Sequence, residues 1–404
     1  MDAQHISLSE ARKLAIVSQG LHKVNPFGYG TKGVLSALQQ LSYVQIDTIS
    51  VVERAHHHSF WSRVNDYSVD MLALLMKDKQ IFEYWSHAAA YLPIEDYRFS
   101  LPRKQAFAGG DKHWHTKDVK LNHEILQRIS YEGPLRAKDF ERSGGEKSSG
   151  WWDWKPAKKA LEQLFMEGKV MTIERRGFQK VYDLTERALP ADTNTIPPTD
   201  EEFFRYLITR CLQANGLATL SEITYLRKGI KAKVARQCTE MLENNELRLL
   251  KCEGQYYYAL PNSNNLLRSQ IKRSQVKILS PFDNLLIQRK RILQLFGFDY
   301  QIECYLPQTK RKYGYFSLPL LWADNFAGRM DAKIDRKTGR LHIQHLHIET
   351  SKIEAFLQAF LPTLKAFLTF NQGDSIELKR LTSAHSLSTQ HAITYQQQIE
   401  KLHF

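Results

Sequence analysis

The 404 residues include 56 Lys and Arg against 43 Asp and Glu, for a net charge of +13, and a chain of this length implies two to four domains with ample core. Hydrophobic residues at 43% and charged residues at 25% exclude a mainly disordered chain. No apolar run approaches the ~18–20 residues of a membrane-spanning helix, the N-terminus lacks the apolar stretch of a signal peptide, and Cys211, Cys238, Cys252 and Cys304 are too dispersed for a disulfide framework or a zinc ribbon. A soluble cytoplasmic protein is expected. The charge is uneven: residues 266–340 hold fifteen basic and six acidic residues. A localised basic surface is the footprint of a polyanion binder, nucleic acid above all; a solvated basic face is the plainer alternative.

In chain order, Leu8 to Gly20 and Thr31 to Leu41 read as helices, YVQIDTI as a short strand, Asp70 to Lys79 as a helix and IFEYWSHAAAYLP as aromatic strand material. Residues 121–190 follow as helix (Leu121 to Ser130), the EGPLRAKDFE segment, helix (Pro156 to Glu167) and a hairpin turning at Arg176-Gly177. Within them SGGEKSSGWWDW is a Gly/Ser-rich loop ending in Trp151, Trp152 and Trp154, two of which are expected to pack in a core. After the Pro/Thr/Asp-rich linker at 190–201 the plan repeats. Phe203 to Ala214, Thr219 to Leu226 and Ile230 to Glu243 are helices, the last with Val234, Cys238, Met241 and Leu242 at helical steps, and a hairpin turns at Glu253-Gly254. Helix, helix, helix and hairpin is the winged-helix order, and in such a module the third helix docks on DNA. Here it brings Arg227, Lys228, Lys231, Lys233 and Arg236 with no acid among them. From about 275 the pattern turns β-rich, which predicts an antiparallel domain closed by a helix at 351–370.

The expected architecture is α+β, mainly α: winged-helix-like units at 1–110, 111–190 and 200–265, then a β-rich domain at 270–404. The first unit is the most distorted copy.

Nucleotide-binding glycine motifs and the GxSxG elbow are missing. The His56-His57-His58 run lacks the spacing and carboxylate support of a zinc site, and His345 with His347 is read as a solvated pair, so no metal or cofactor is expected. The unusual feature is Gln45-Ile46-Asp47, where side-chain alternation puts two polar groups on one face of a Val/Ile/Tyr-rich strand. Such groups need partners or a solvent-filled cleft. A structural pair, with Asp47 bridged to Arg54, is the plainer alternative.

The segments LSPFDNLLIQRKRILQLFGFDY, YGYFSLPL and GRMDAKI, with the N-terminal YVQIDTISVVERAHHHSFWSRV and EYWSHAAAYLP, resemble the AlkZ/AlkX (YcaQ-like) family of bacterial winged-helix DNA glycosylases over nearly the whole chain. The resemblance implies tandem winged-helix units in a C-shaped arrangement and a catalytic Gln-x-Gln or Gln-x-Asp motif. Gln45 and Asp47 are the Gln-x-Asp variant of the AlkX branch. The resemblance also implies a monofunctional enzyme that excises cationic alkylated purines, unhooks interstrand crosslinks and leaves abasic sites. Gln45 and Asp47 are then catalytic, with Arg54, His56 and His87 as support. The partner is damaged double-stranded DNA, bound by a monomer through Arg227, Lys228, Lys231, Lys233, Arg236, Arg289, Lys290, Arg291, Lys310, Arg311, Lys312, Trp322 and Arg329. A non-enzymatic winged-helix regulator is the alternative, usually a dimer reading paired half-sites.

Overall fold

The computed structural model describes residues 2–110, 118–140 and 155–402, so the glycine-rich loop and Trp151, Trp152 and Trp154 lie outside the described residues. The chain forms two compact units, Met1–Ser68 with Leu207–Phe404, and Val69–Tyr206. Helix covers 44% and strand 20%, a mixed fold in which helix predominates.

In the first unit, Ser7 opens the Leu8–Ser18 helix with a capping box: its side chain accepts from Glu10 N, and the Glu10 carboxylate accepts from Ser7 N at 2.8 Å. Just before it, Gln4–His5 pairs in parallel with Arg248–Cys252, which in turn pairs antiparallel with Gln255–Ala259. The expected two-stranded hairpin is therefore a three-stranded sheet, completed by a strand too short to leave a periodic signal. The Asp200–Asn215 helix stops at Gly216, which has φ +74°. A Cβ there would lie 2.6 Å from Leu14 O, so only glycine lets this turn meet the first helix. The expected second helix is a single turn, Leu220–Ile223, boxed by Thr219 and Glu222. The Lys231–Glu243 helix buries Val234, Cys238 and Met241 and turns its lysines outward.

The β-rich part departs from expectation. Val276–Ile278, Ser317–Trp322, Asn325–Asp335 and Arg340–Ile348 run antiparallel in that order, but Ser375–Leu378 and Leu381–Ser383 both pair in parallel with Arg340–Ile348. A parallel neighbour requires a crossover, and the Ile353–Phe370 helix supplies it. That helix, with 18 residues and a mean hydropathy of 1.2, is as long and apolar as a membrane-crossing segment, which corrects the composition-based exclusion. Here its Phe356, Phe360, Leu364 and Phe367 are fully buried in one cluster with the sheet residues Ile278, Leu318, Met330 and Ile343.

The same core anchors the N-terminal segment. A helix not foreseen in the sequence, Ala55–Trp61, lies against Val276–Ile278: His58 Nε2 is 2.9 Å from Ile278 O, and Lys277 Nζ donates to Ser62 O at 2.9 Å. Two residues beyond the helix, Arg63 meets Asp283 through paired bonds of 2.7 and 2.9 Å, both side chains fully buried. Its remaining donors go to Gln19 O, Gln19 Oε1, Ser59 O and Ser62 Oγ. The buried charge is thus saturated with partners, the condition for tolerating it. SFWSRV and SPFDNLL, two of the segments that carry the family resemblance, are the two sides of this contact.

In the second unit, the hairpin Ile81–Trp85/Ala89–Pro93 and the three-stranded sheet of Leu135–Arg136, Gln179–Leu184 and Val170–Arg176 are joined by Glu83. Its buried carboxylate binds Arg175 and Lys180. Burial alone would raise the Glu83 pKa, but the two cations outweigh it and hold the group below the usual range. The helices Val119–Glu132 and Lys155–Met166 stand close to their expected bounds. Lys104, 4% exposed, points into a cage of Tyr97, Tyr84 and Phe82, its Nζ 3.8, 4.7 and 5.6 Å from the ring centres.

Candidate active site

The alternation expected around Gln45 is visible in burial: Val44 and Ile46 are buried, Gln45 and Asp47 half-buried. Only Val44–Gln45 is strand. The extended run ends because Asp47 bonds its own backbone, its Oδ1 accepting from Ile49 N at 2.7 Å, the local turn by which Asp competes with a ladder. Those bonds run to the chain itself and none reaches Arg54, which removes the bridge to Arg54 as an account of this carboxylate. Burial raises the Asp47 pKa, partly offset by the N–H groups of Ile49 and Thr48. Without a cationic partner among the described residues, Asp47 is an uncompensated negative charge at a half-open position.

The chain after Asp47 is fixed to the β-sheet and to the end of its crossover helix by four hydrogen bonds. Ile334 N donates to Val51 O at 3.0 Å, Arg336 donates to Ser50 O and Val52 O at 2.9 and 3.2 Å, and Glu53 N donates to Asn371 Oδ1 at 2.7 Å. Val52 is fully buried. The carboxylate therefore stands at the end of a held segment, as precise positioning requires.

Facing it in electrostatic terms are Cys304 and Tyr305, residues that no pattern in the sequence singles out. Burial first raises the pKa of both; for Cys304 the charge of Asp47 comes next, and for Tyr305 the Cys304 thiol comes before Asp47. Tyr305 is 73% exposed. The basic segment that follows is shaped by two buried carboxylates. Glu303 accepts from Tyr313 N and Gly314 N at 2.9 and 3.0 Å, and Asp331 accepts from Tyr315 N and Phe316 N at 3.1 and 2.8 Å. Gly314 sits at φ +136°, where any Cβ would collide with Asp331.

The histidine run lies on a helix, so its members diverge. His57 Nδ1 is 2.6 Å from Tyr67 Oη, and burial pulls both His57 and His58 down to about 4. They are neutral packing groups at physiological pH. His56 is buried beside His57, their ring centres 4.3 Å apart. Arg54 is half-buried just before the helix, and His87 belongs to the other unit, between the strands of its first hairpin. His345 and His347 each approach the Thr382 hydroxyl at 2.7 Å, so this pair is hydrogen-bonded rather than merely solvated.

Among the expected DNA contacts, Lys228, Lys231, Lys233, Arg236, Lys290, Lys310 and Lys312 are exposed, and Arg227 and Arg311 half-buried. Three expectations are corrected. Arg291, 2% exposed, pairs with Glu222 at 3.0 Å and donates to Asn215 O. Arg289 donates to Leu286 O and Pro281 O and lies over Tyr300, 4.6 Å from its ring centre. Consecutive helical residues diverge, so the Arg289-Lys290-Arg291 run offers one cation to solvent. Arg329 is 5% exposed, bound to Glu349 at 2.5 Å and held between Phe298 and Tyr313. Trp322 does stand beside the hairpin turn, yet its Nε1 donates to Arg273 O at 2.7 Å and its ring meets Phe356 edge-on, so it is fixed in place.

The family model for AlkZ-like DNA glycosylases matches residues 38–370. The solved structure of the Streptomyces sahachiroi DNA glycosylase AlkZ is similar in fold, with a TM-score of 0.59 at 15% identity over 94% of this chain and 99% of that one. The regulator alternative is not favoured by either finding. A family match over residues 38–370 places the protein: it belongs to the AlkZ-like family and is a DNA glycosylase, a DNA-binding repair enzyme.

Proposed function

We propose that the enzyme hydrolyses the N-glycosidic bond of cationic alkylated purines, 7-alkylguanines above all, and unhooks interstrand crosslinks made through the same ring nitrogen. Gln45 and Asp47 are its catalytic pair, of the Gln-x-Asp, AlkX-type branch. The observation that carries this reading is the half-buried Asp47 carboxylate, raised in pKa by burial and held by backbone N–H groups instead of a cation. A base alkylated at that nitrogen leaves as a neutral molecule and needs little acid catalysis. The reaction lacks stabilisation of an oxocarbenium-like sugar and a positioned water, the need that carboxylates meet in glycoside hydrolysis. Asp47 supplies the charge and polarises the water, and the Gln45 amide, donor and acceptor at once, holds the water or the sugar. The reading includes action as a monomer. It also takes the helix-and-hairpin segments at 119–184 and 200–259 as winged-helix modules on the duplex, with exposed Lys228, Lys231, Lys233 and Arg236 on phosphates.

The test is single-turnover release of 7-methylguanine from duplex DNA. Asp47→Asn is expected to slow release by roughly a hundred-fold or more while DNA affinity stays within a few-fold, because the carboxylate acts on charge that develops only in the transition state. Gln45→Ala gives the same effect less severely. Wild-type rates for Asp47→Asn would make the pair structural.

A further inference from the structure

A second polar site lies on the sheet next to the anchor of the catalytic segment. Lys333, Asp335, Arg336, His342, Gln344 and Lys379 line a cavity of about 430 Å³. Lys333 and His342 are direct cross-strand partners, and Asp335 is opposite Arg340. Both lysines are exposed and neither belongs to an ion pair among the described residues. The acids nearby are occupied: Asp335 Oδ1 accepts from Lys337 N at 2.9 Å, and the Glu377 carboxylate is bonded to His342 Nδ1. The His342 imidazole is tied to Glu377, and besides it and Ile334 no aromatic or large aliphatic side chain lines the cavity, so it offers chiefly charge and hydrogen bonds. That chemistry suits a phosphodiester and not a base.

We infer that this cavity binds a backbone phosphate of the substrate DNA through Lys333 and Lys379. The cavity is joined to the active site by Arg336, which lines it and also donates to Ser50 O and Val52 O, three and five residues after Asp47. A strand held in the cavity is thereby registered against the segment that carries the carboxylate. The inference rests on the glycosylase reading for the identity of the polyanion, and on the cavity for the place where it is gripped.

The experiment compares three full-length proteins on an undamaged duplex over a range of salt: wild type, Lys333→Ala/Lys379→Ala, and the control Lys365→Ala/Lys401→Ala. The control removes the same charge from an exposed helix position and an exposed helix C-cap of the same unit. With about −0.9 in the log–log slope for each phosphate contact, the cavity variant should flatten the slope by roughly 1.8 and the control should leave it unchanged. An unchanged slope in the cavity variant, or equal flattening in both, overturns the assignment. A melting temperature near that of wild type identifies the loss as local, and a Lys333→Arg/Lys379→Arg protein, which keeps both charges, should restore the slope if the first variant is poorly folded. Wild-type release of 7-methylguanine is measured alongside. Flattening without base release leaves the cavity in place and removes the reaction, whereas base release without flattening does the reverse.

Discussion

Asp47 and Lys104 are opposite cases of one principle, that desolvation disfavours whichever form is charged. For Asp47 the folded pKa lies above the unfolded value of 3.8. Between those two values the native state binds more protons than the unfolded one, so its stability falls as pH rises. Asp47→Asn should therefore melt at a higher temperature than wild type at pH 7, with the gap closing on acidification below the folded pKa. Stabilisation accompanied by lost base release is the signature of a strained functional site, and a destabilised Asn variant would contradict it. The base-release rate should decline on the acid side with an inflection above 3.8. Lys104 is pulled from 10.5 down to about 7 by burial. Between those values the unfolded chain binds the extra proton, so stability rises with pH across that window and the burial penalty is complete below it. Lys104→Met, similar in length and free of charge, should raise the melting temperature by a few degrees at pH 6 and by little at pH 10. Calorimetry at the two pH values checks both the sign and the window.

At the scale of elements, the Ala55–Trp61 helix is held to the sheet by the buried pair of Arg63 and Asp283. Removing one partner leaves an unpaired charge in the core, so Asp283→Ala should cost about 3–5 kcal/mol. Arg63→Met with Asp283→Leu removes both charges and should cost less, but not nothing, because Gln19 Oε1, Ser62 Oγ and Leu285 N lose their partners. Denaturant titration of the three proteins measures the difference. The same contact shows what could be read in advance. Helices with strong 3.6-residue periodicity, Lys231–Glu243 among them, stand within a residue or two of their expected bounds, because a buried face declares itself in the pattern. Gln45 and Asp47 were legible as polar residues on one face of an apolar run. Cys304 and Tyr305 were not, since their relation to Asp47 is made by a fold that joins positions more than 250 residues apart. Arg289, Arg291 and Arg329 counted as surface charge for the same reason: composition records a cation, and only packing shows that Glu222, Glu349 or a row of carbonyls has taken it.

For the whole molecule, substrate choice should depend on the charge of the leaving group. DNA containing 7-alkylguanine or a nitrogen-mustard crosslink is expected to be processed, with no detectable release of uracil or 8-oxoguanine, which lack that charge. Product strands should stay intact until heat or alkali cleaves them. Strand breaks without treatment, or a borohydride-trapped adduct, would point to a lysine nucleophile in place of water activation. Affinity for undamaged duplex should be independent of sequence, with a log–log salt slope of roughly −5 to −7 for five to eight phosphate contacts.

The discontinuous first unit has a consequence for how the protein is made. Its opening 68 residues share a core with residues 207–404, and Arg63 is 220 residues ahead of Asp283. At about 5–20 residues per second on the ribosome, roughly 11–44 s pass before the guanidinium meets its carboxylate. Residues 69–206 form a compact unit of their own and can fold within that interval. Until then residues 55–63 lack the sheet that buries His58 and the carboxylate that pairs with Arg63, and so short a helix is marginal by itself. A nascent chain stalled before residue 276 should therefore be cut by protease near residues 55–63, while one stalled far enough beyond residue 370 for the sheet and its helix to clear the ribosome should resist. The segment that carries Gln45 and Asp47 is translated early and gains its support only after Ile334, Arg336 and Asn371 have been made.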